Sequence, residues 1–245
     1  MSDEIDRLDR TAFFKLHRDL PREGPGEPAD VTWAAGVAGT PRDAQMADVG
    51  CGPGADIGAL LGVAPEGHVT ALDKTPHFVE AARERFSDDE RVTILRADMG
   101  RIMNHYDMIW CAGAVYFLGV TEALTRWRKS ILPGGVVAFS EACWFTDAPP
   151  DRAKAFFAAE YPTMTDKAGV LEQVRAAGYE VLGTRQLQDA AWEAYFTPIE
   201  ARIATLRDGA DAALTEVLDD AEEEIAVWRN HRDAFGYLLT VARPA

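Results

Sequence analysis

Apolar positions along this chain follow two periods, one typical of buried strands and one typical of amphipathic helices. Short apolar runs alternate with segments in which apolar residues recur every three or four positions, as they do on one face of a helix. The expected strands are residues 42–49, 68–73, 91–97, 106–113, 136–141, 179–182 and 236–242. Because strands that alternate with helices form mostly parallel sheets with right-handed connections, the pattern predicts an α/β protein with a doubly wound, mostly parallel sheet.

Helical periodicity extends beyond this alternation, toward both ends of the chain. A short helix is expected at residues 31–37, after a loop rich in glycine and proline at 22–28, and residues 192–233 are expected to be mostly helical. An amphipathic helix that ends at Pro21 is predicted from apolar residues at helical spacing, which are Ile5, Leu8, Ala12, Leu16 and Leu20.

The second half of the chain contains further helical patterns. Leu124, Trp127 and Ile131 mark a helix that is expected to end at residues 133–135, and residues 167–177 form another. Residues 208–224 hold eight carboxylates and neither lysine nor arginine, which is typical of the solvated face of a helix.

The composition excludes several classes of partner. A net charge of −15 argues against a nucleic-acid backbone or an anionic membrane as the main partner. The polar, acidic first residues do not resemble a signal peptide, and no apolar run is long enough to span a bilayer. Cys51, Cys111 and Cys143 are far apart, odd in number and without zinc-site spacing. We therefore expect a soluble cytoplasmic protein with no metal site.

The first strand leads into the glycine turn Gly50-Cys51-Gly52-Pro53-Gly54. A strand, a glycine turn and a helix form the ligand-binding corner of a doubly wound fold. Glycine permits unusual backbone angles there and lets the main chain approach a ligand closely. Acids occur at this strand end and at the ends of the next two strands, as Asp48, Asp73 and Asp98.

Two cofactors use such a corner. Gly50, Gly52 and Ala55 match the dinucleotide pattern G-x-G-x-x-[GA]. However, Pro53 has no N–H to offer a pyrophosphate, and the Asp48 carboxylate suits an ammonium or sulfonium group better than an anion. Asp73 can accept ribose hydroxyls from either cofactor. The residues favour a cationic cofactor, and NAD stays the alternative.

The sequence Asp-Val-Gly-Cys-Gly-Pro-Gly at 48–54 resembles the first motif of class I S-adenosylmethionine (SAM)-dependent methyltransferases. Residues 96–99 resemble the motif whose acid meets adenine, and residues 132–135 resemble the turn before the fifth strand. The resemblance implies a seven-stranded sheet whose last strand is antiparallel, with helices on both faces and a helical cap. It implies a single domain over residues 1–245: an N-terminal extension (1–40), a cofactor-binding core (41–143) and a substrate side (144–245) with a helical insertion at about 192–233.

In this family SAM lies across the carboxyl ends of the first and fourth strands. The resemblance implies that the glycine turn meets the methionine part, that Asp73 meets the ribose and that Asp98 with Met99 meets the adenine. The cofactor-binding residues that it implies are Asp48, Gly50, Cys51, Gly52, Asp73, Lys74, Asp98, Met99 and Ala114.

The acceptor side is less defined by sequence. After the fourth strand the chain reads Ala-Gly-Ala-Val-Tyr at 112–116, and not the Asn/Asp-Pro-Pro-Tyr of methyltransferases that act on amino groups of nucleic acid or glutamine. The chain resembles a bacterial group of small-molecule or uncharacterised methyltransferases at residues 141–145, in the early Gly-Pro-Gly loop and in a Trp-x-x-Tyr-Phe-x-Pro element at 192–198. The implied substrate residues are Trp144, Trp192 and Tyr195, and the catalytic candidates are Glu141 and Tyr116.

Together these features predict a methyltransferase that transfers a methyl group from SAM to a small-molecule acceptor, as a monomer or homodimer without nucleic-acid or membrane partners. The N-terminal helix and the 192–233 insertion are expected to form a lid over the acceptor. Two alternatives stay open: an NAD-dependent oxidoreductase on the same corner, and a SAM-binding protein without catalysis. The aromatic residues of the insertion would, in a further alternative, only anchor added helices to the sheet.

Overall fold

The computed structural model describes residues 11–245. The strands of its single sheet are β1 (Gln45–Val49), β2 (His68–Asp73), β3 (Val92–Arg96), β4 (Tyr106–Cys111), β5 (Ile131–Trp144), β6 (Tyr179–Gln186) and β7 (Phe235–Pro244). Their order across the sheet is β3-β2-β1-β4-β5-β7-β6. Neighbouring strands from β3 to β5 pair in parallel, whereas β7 pairs antiparallel with β5 and β6. The predicted doubly wound sheet with an antiparallel last strand is confirmed.

Helices connect these strands and cover both faces of the sheet. They are α1 (Pro28–Ala38), α2 (Ile57–Val63), α3 (Pro76–Arg85), α4 (Val120–Trp127), α5 (Asp151–Glu160), α6 (Lys167–Ala176), α7 (Asp189–Leu206) and α8 (Ala212–His231). Within residues 11–245, no helix is both long enough and apolar enough to cross a membrane.

Successive residues of each strand point to opposite faces of the sheet, and each face has its own apolar core. In β4, Ile109 packs in the core that α4 and α6 cover, whereas the next residue, Trp110, packs in the core that α1 and α2 cover. A sheet buried on both faces needs such near-continuous apolar strands, which explains why the strand signal in the sequence is strong.

A third apolar cluster lies at the carboxyl end of β5 and joins the N-terminal segment to α7 and α8. Trp144, at this end, pairs in register with Phe235 of β7, and Phe235 is one of the buried residues of this third cluster. Ala12, Leu16 and Leu20 contribute from the N-terminal segment. Residues 11–16 are helical, while the predicted helix positions Ile5 and Leu8 lie outside the described residues. The cluster gives the protein the helical cap expected from sequence.

The start of β5 differs from the prediction. Ile131 was expected on a helix that ends at residues 133–135, but the helix ends at Trp127 and Ile131 already pairs with Tyr106 of β4. Residues 132–135 then bulge before Val136 resumes the pairing. A side chain at Gly135 would place its Cβ 2.9 Å from the carbonyl oxygen of Tyr106, so the glycine permits this close approach. Proline and glycine here shape an irregular strand instead of ending a helix.

Candidate cofactor and acceptor site

The glycine turn after β1 is held against β2 by backbone hydrogen bonds. The N–H groups of Gly50 and Cys51 both donate to the Leu72 carbonyl, at 2.9 and 3.1 Å. Gly50 has a φ of 75°, and a Cβ atom there would lie 2.7 Å from the Cβ of Ala114. Glycine is therefore required at this position for two reasons: the left-handed backbone and the close approach of the loop that follows β4.

A cleft of about 340 Å³ opens beside this turn, at the carboxyl ends of the parallel strands. This is where ligands bind in open α/β sheets. All the cofactor-binding residues expected from sequence line it, and they are Asp48, Gly50, Cys51, Gly52, Asp73, Lys74, Asp98, Met99 and Ala114. The structure therefore brings the three strand-end acids around one cavity, as the sequence predicted.

Asp73 is fixed by the backbone that surrounds it. Its Oδ2 accepts a hydrogen bond from the N–H of Gly52 at 3.1 Å, and its Oδ1 accepts one from the N–H of Thr75 at 2.8 Å. An ionised carboxylate offers about four acceptor sites, so each oxygen keeps capacity for a further donor. Asp73 is half-buried on the cleft wall and is therefore pre-positioned to accept ligand hydroxyls.

Asp48 is the most deeply buried acid of the cleft. Only 3% of its surface is exposed, and its Oδ2 has no hydrogen-bond partner. Burial, with repulsion from Asp56 and Asp73, raises the pKa of Asp48 well above its ordinary value. A buried carboxylate without a partner is costly, and a cation in the cleft would offset that cost.

The other acids of the cleft are already bonded. Asp56 accepts a hydrogen bond from the indole N–H of Trp110 at 2.9 Å and another from Arg22 at 3.4 Å. The exposed Asp98 accepts one from the N–H of Gly100 at 2.8 Å. Glu23 bonds His17 at 2.7 Å, and burial raises its pKa.

The cleft is therefore strongly acidic. Among residues 11–245, its lining contains five carboxylates and two basic residues, Arg22 and Lys74; the carboxylates are Glu23, Asp48, Asp56, Asp73 and Asp98. Such a lining favours a positively charged ligand over an anionic one.

The N-terminal segment forms one wall of the cleft, which the sequence did not assign to the cofactor. Phe13, Phe14 and Arg22 line it together with Gly24 and Pro25. The Arg22 guanidinium donates to the carbonyl of Gly24. In the sequence, the Gly-Pro-Gly loop was the feature that indicated this wall, but it was expected to surround the substrate and not the cofactor.

This wall is joined to the cap. The N–H of Gly26 donates to the carbonyl of Ala191 at 3.1 Å, near the start of α7. The two segments that were expected to form a lid are thereby connected to each other.

The loop after β4 forms the opposite wall. The N–H of Gly113 donates to the Ser140 hydroxyl of β5 at 2.8 Å, which fixes the loop between two strands. Tyr116 lines the cleft and is 41% exposed. Its neighbour Phe117 is 59% exposed and lies 5.1 Å from the Lys74 ammonium, measured to the ring centroid. An exposed aromatic pair at the mouth of an acidic cleft suits contact with a flat or cationic ligand.

Glu141 lies behind this wall, outside the lining of the cleft. It is 3% exposed, and its Oε1 accepts a hydrogen bond from the Tyr161 hydroxyl at 2.7 Å. Its Oε2 is buried without a partner. Burial raises the pKa of Glu141 to about 7, while the Tyr161 hydrogen bond acts in the opposite direction. The ring of Tyr161 lies 5.9 Å from that of Tyr116, between centroids, so Glu141 is two side chains away from the cleft.

The three aromatic residues expected to bind substrate pack inside the cap instead of lining the cleft. Trp144 lies edge-on to Phe157, with ring centroids 5.4 Å apart. Trp192 stacks between Trp228 and Tyr237, each at 5.2 Å. Tyr195 is buried beside Phe196. Their role in acceptor binding stays a prediction. They could touch an acceptor only in a pocket between the cleft and the cap.

Comparisons with known proteins agree with the geometry of the corner. Residues 46–135 match a family model described as a methyltransferase domain. An uncharacterized 37.1 kDa protein in transposon TN4556 of Streptomyces fradiae is 32% identical over 102 residues, which cover 40% of this chain and 30% of that protein. A malonyl-[acyl-carrier protein] O-methyltransferase of Acetivibrio thermocellus is 30% identical over 95 residues, 38% of this chain and 34% of that protein. This chain thus matches only about a third of the length of these curated relatives.

Solved structures resemble the chain over nearly its whole length. A SAM-dependent methyltransferase from Geobacter sulfurreducens in complex with S-adenosyl-L-homocysteine has a TM-score of 0.80 at 20% identity, covering 96% of this chain and 98% of that one. A SAM-dependent methyltransferase from Thiobacillus denitrificans, also in complex with S-adenosyl-L-homocysteine, has a TM-score of 0.78 at 19% identity, covering 95% and 98%. Residues 46–135 thus match a methyltransferase-domain model, and the chain has the class I methyltransferase fold.

Proposed function

We propose that this protein binds SAM and transfers its methyl group to a small-molecule acceptor. The observation that carries the proposal is the buried Asp48, whose Oδ2 has no hydrogen-bond partner, in a cleft that Asp73 and Asp98 also line. The residues fit SAM, because the acids match its cationic part and hydroxyls, and because the glycine turn leaves room for close main-chain contact. SAM supplies a methyl group activated by its sulfonium.

In this proposal each wall of the cleft has a separate task. The glycine turn and Asp48 hold the methionine part of SAM, with Arg22 near enough to the acids to compensate them. Asp73 and Lys74 hold the ribose, and Asp98 with Met99 holds the adenine. The 112–116 loop flanks the methionine part and the sulfonium methyl, beside the position of the acceptor. Since methyl transfer to an activated carbon depends largely on positioning, these binding residues carry most of the expected rate enhancement.

The same lining disfavours a dinucleotide. A pyrophosphate carries negative charge, and it would enter a cleft whose described lining has five carboxylates and two basic residues. Pro53, inside the turn, has no N–H to donate to it. An NAD-dependent enzyme would therefore have to hold a negatively charged pyrophosphate in an acidic cleft, beside a turn in which Pro53 offers no N–H.

We further propose that the acceptor is small and that the protein acts in the cytoplasm. Three cysteines buried as free thiols support a reducing compartment. The closed arrangement of the N-terminal wall and the cap supports a small acceptor, because a polymer would need an open groove. The division into an extension (1–40), a core (41–143) and a substrate side (144–245), and the state as monomer or homodimer, are part of this proposal.

Calorimetry with SAM, S-adenosylhomocysteine, NAD and NADP tests the cofactor. We expect the first two to bind and the nicotinamide cofactors not to bind. Asp73→Ala should weaken SAM by about 2–3 kcal/mol, the scale of hydrogen bonds to a charged group. Asp43→Ala is the matched control, because Asp43 is exposed before the opposite end of β1. Tight NAD binding without SAM binding would refute the proposal.

A second assay separates an enzyme from a SAM-binding protein without catalysis. The protein is incubated with SAM and fractionated small-molecule extracts, and release of S-adenosylhomocysteine is measured. We expect release with at least one fraction and none with Asp73→Ala at the same SAM concentration. SAM binding with no release from any fraction would favour the non-catalytic alternative.

A further inference from the structure

Glu23 lines the cofactor cleft, and none of the cofactor contacts proposed above uses it. It belongs to the N-terminal wall, directly before Gly24 and Pro25, which line the same cleft. Its Oε2 bonds the His17 ring at 2.7 Å, which fixes the carboxylate. Its Oε1 is buried and has no hydrogen-bond partner within residues 11–245. Because a buried acceptor without a donor is costly, a ligand that donates to this oxygen would be favoured.

The Glu23 side chain packs on the glycine turn. A Cβ atom added at Gly52 would lie 3.5 Å from Cγ and 3.6 Å from Cβ of Glu23. The neighbouring Arg22 bonds Asp56, two residues beyond the turn, at 3.4 Å. These two contacts attach the N-terminal wall to the turn and to the start of α2. The Glu23 carboxylate is therefore held beside the main chain that is proposed to bind the methionine part of SAM.

Asp48 brings a second oxygen of the same kind to this cleft. It is 3% exposed, and its Oδ2 is buried without a partner in the described part of the chain. Asp48 comes from the end of β1, whereas Glu23 comes from the N-terminal wall, and both line the cleft. The remaining carboxylates of the described lining already accept hydrogen bonds; they are Asp56, Asp73 and Asp98. Two buried oxygens on different elements thus await donors in one cavity.

The chemistry of SAM decides which of its groups can satisfy both oxygens. SAM carries two cationic groups, the sulfonium and the α-ammonium of its methionine part. The sulfonium has no N–H or O–H, so it cannot donate a hydrogen bond. The ammonium has three N–H donors and a positive charge. Burial raises the pKa of both Glu23 and Asp48, so a cation beside them would stabilise their ionised forms.

We propose that Glu23 and Asp48 together bind the α-ammonium of SAM, which makes Glu23 a cofactor-binding residue of the N-terminal wall. This inference rests on the proposed function. Each carboxylate accepts one N–H of the ammonium, Glu23 through Oε1 and Asp48 through Oδ2. The N-terminal wall then recognises the amino-acid end of the cofactor, and not only its adenosine part.

The other donors of SAM fit these two oxygens less well. Both oxygens of Asp73 keep capacity for the ribose hydroxyls, so the ribose needs no further acid. A hydroxyl or the adenine amino group is neutral, and it would add no positive charge between two buried carboxylates. The ammonium supplies the donors and the charge together, and a charge-assisted hydrogen bond is stronger than a neutral one.

Calorimetry with two ligands tests the assignment. One is S-adenosylhomocysteine, and the other is its deamino analogue, which lacks the ammonium but keeps the carboxylate, ribose and adenine. The unsubstituted protein should bind the deamino analogue at least about tenfold more weakly, the scale of a hydrogen bond to a charged group. Glu23→Gln, which keeps a group able to bond His17, should weaken S-adenosylhomocysteine by about tenfold. It should not weaken the deamino analogue.

Asp19→Asn is the matched control in the same segment. Asp19 lies outside the cleft lining, its side chain is 80% exposed, and its φ of 63° is one that asparagine also adopts. This variant should change neither affinity. Asp48→Asn should reproduce the effect of Glu23→Gln on the two ligands, and it provides the comparison if urea denaturation shows that Glu23→Gln does not fold.

Three outcomes overturn the inference. In the first, Glu23→Gln weakens both ligands equally, because Glu23 would then act on the ribose, the adenine or the wall as a whole. In the second, Glu23→Gln folds and leaves the affinity for S-adenosylhomocysteine unchanged. In the third, the unsubstituted protein binds both ligands equally well. If the unsubstituted protein does not bind S-adenosylhomocysteine at all, the proposed function itself is refuted.

Discussion

Replacing Glu141 with glutamine should make the stability of the protein less dependent on pH. Burial raises the pKa of Glu141 in the folded protein to about 7 from 4.5. Below pH 4.5 the group is protonated in both the folded and the unfolded chain, so its ionisation has no effect on stability. Between these two values the unfolded chain ionises and the folded protein does not, which favours unfolding. The free energy of unfolding therefore falls as the pH rises above 4.5, and the fall is complete above about pH 7.

The magnitude follows from the size of the shift. One pKa unit corresponds to about 1.4 kcal/mol of differential stability, so the shift from 4.5 to about 7 corresponds to about 3 kcal/mol. Glu141 is 3% exposed, so solvent screening reduces this value little. Glutamine keeps a carbonyl oxygen that can accept the hydrogen bond of the Tyr161 hydroxyl, and it removes the charge. We therefore expect Glu141→Gln to gain about 3 kcal/mol relative to the unsubstituted protein between pH 4.5 and pH 8.

Urea denaturation of both proteins at pH 5, 6, 7 and 8 measures this difference. The unfolding free energy of the unsubstituted protein should fall more steeply across the series than that of the variant. Glu224, whose pKa burial also raises to about 7, contributes equally to both proteins and cancels in the comparison. Glu216→Gln, at an exposed position of α8, serves as the control and should follow the unsubstituted protein. A difference between Glu141→Gln and the unsubstituted protein that stays constant with pH would refute the reasoning.

Three further predictions concern the cleft and its support. Gly50→Ala should lose SAM binding and cost about 1–3 kcal/mol of stability, because φ is 75° and the added Cβ would clash; calorimetry and urea denaturation measure the two effects, and unchanged SAM affinity would contradict the close-approach argument. Tyr161→Phe should raise the pKa of Glu141 above about 7, because the lost hydrogen bond favours the ionised form; a carboxyl NMR titration measures the shift, and an unchanged midpoint would show that the bond is absent in solution. Arg22→Met should strengthen SAM binding, and most at low salt, since it removes a positive charge that lies among the acids; a salt-independent loss of affinity would contradict this and indicate a packing role.

The fold and the placement of the strand-end acids around one cleft could be predicted because both depend on where the strands end. The acids Asp48, Asp73 and Asp98 lie within two residues of the ends of β1, β2 and β3, and parallel strands place these ends at one edge of a sheet. No long-range information is needed for that conclusion. The alternation of strands and helices and the glycine turn supply the rest, so the class I fold was predicted correctly from local patterns.

The acceptor side could not be predicted in the same way, because its residues come from segments that are distant in sequence. Tyr161 follows α5, a helix that was not predicted from the sequence, and its hydroxyl bonds Glu141, twenty residues earlier in the chain. Glu224 was assigned to the solvated face of an acidic helix, which is wrong for this residue. It is partly buried and its pKa is raised to about 7. A run of like charges says nothing about which member turns toward the sheet, since that depends on how α8 packs.

The charge arrangement joins the N-terminal wall to the rest of the cofactor cleft. In the cofactor cleft, Arg22 bonds Asp56 and backbone N–H groups bond Asp73, whereas Oδ2 of Asp48 and Oε1 of Glu23 are buried without a hydrogen-bond partner. The excess of acid among the described residues that line the cleft, five carboxylates against two basic residues, would stabilise a cationic cofactor there.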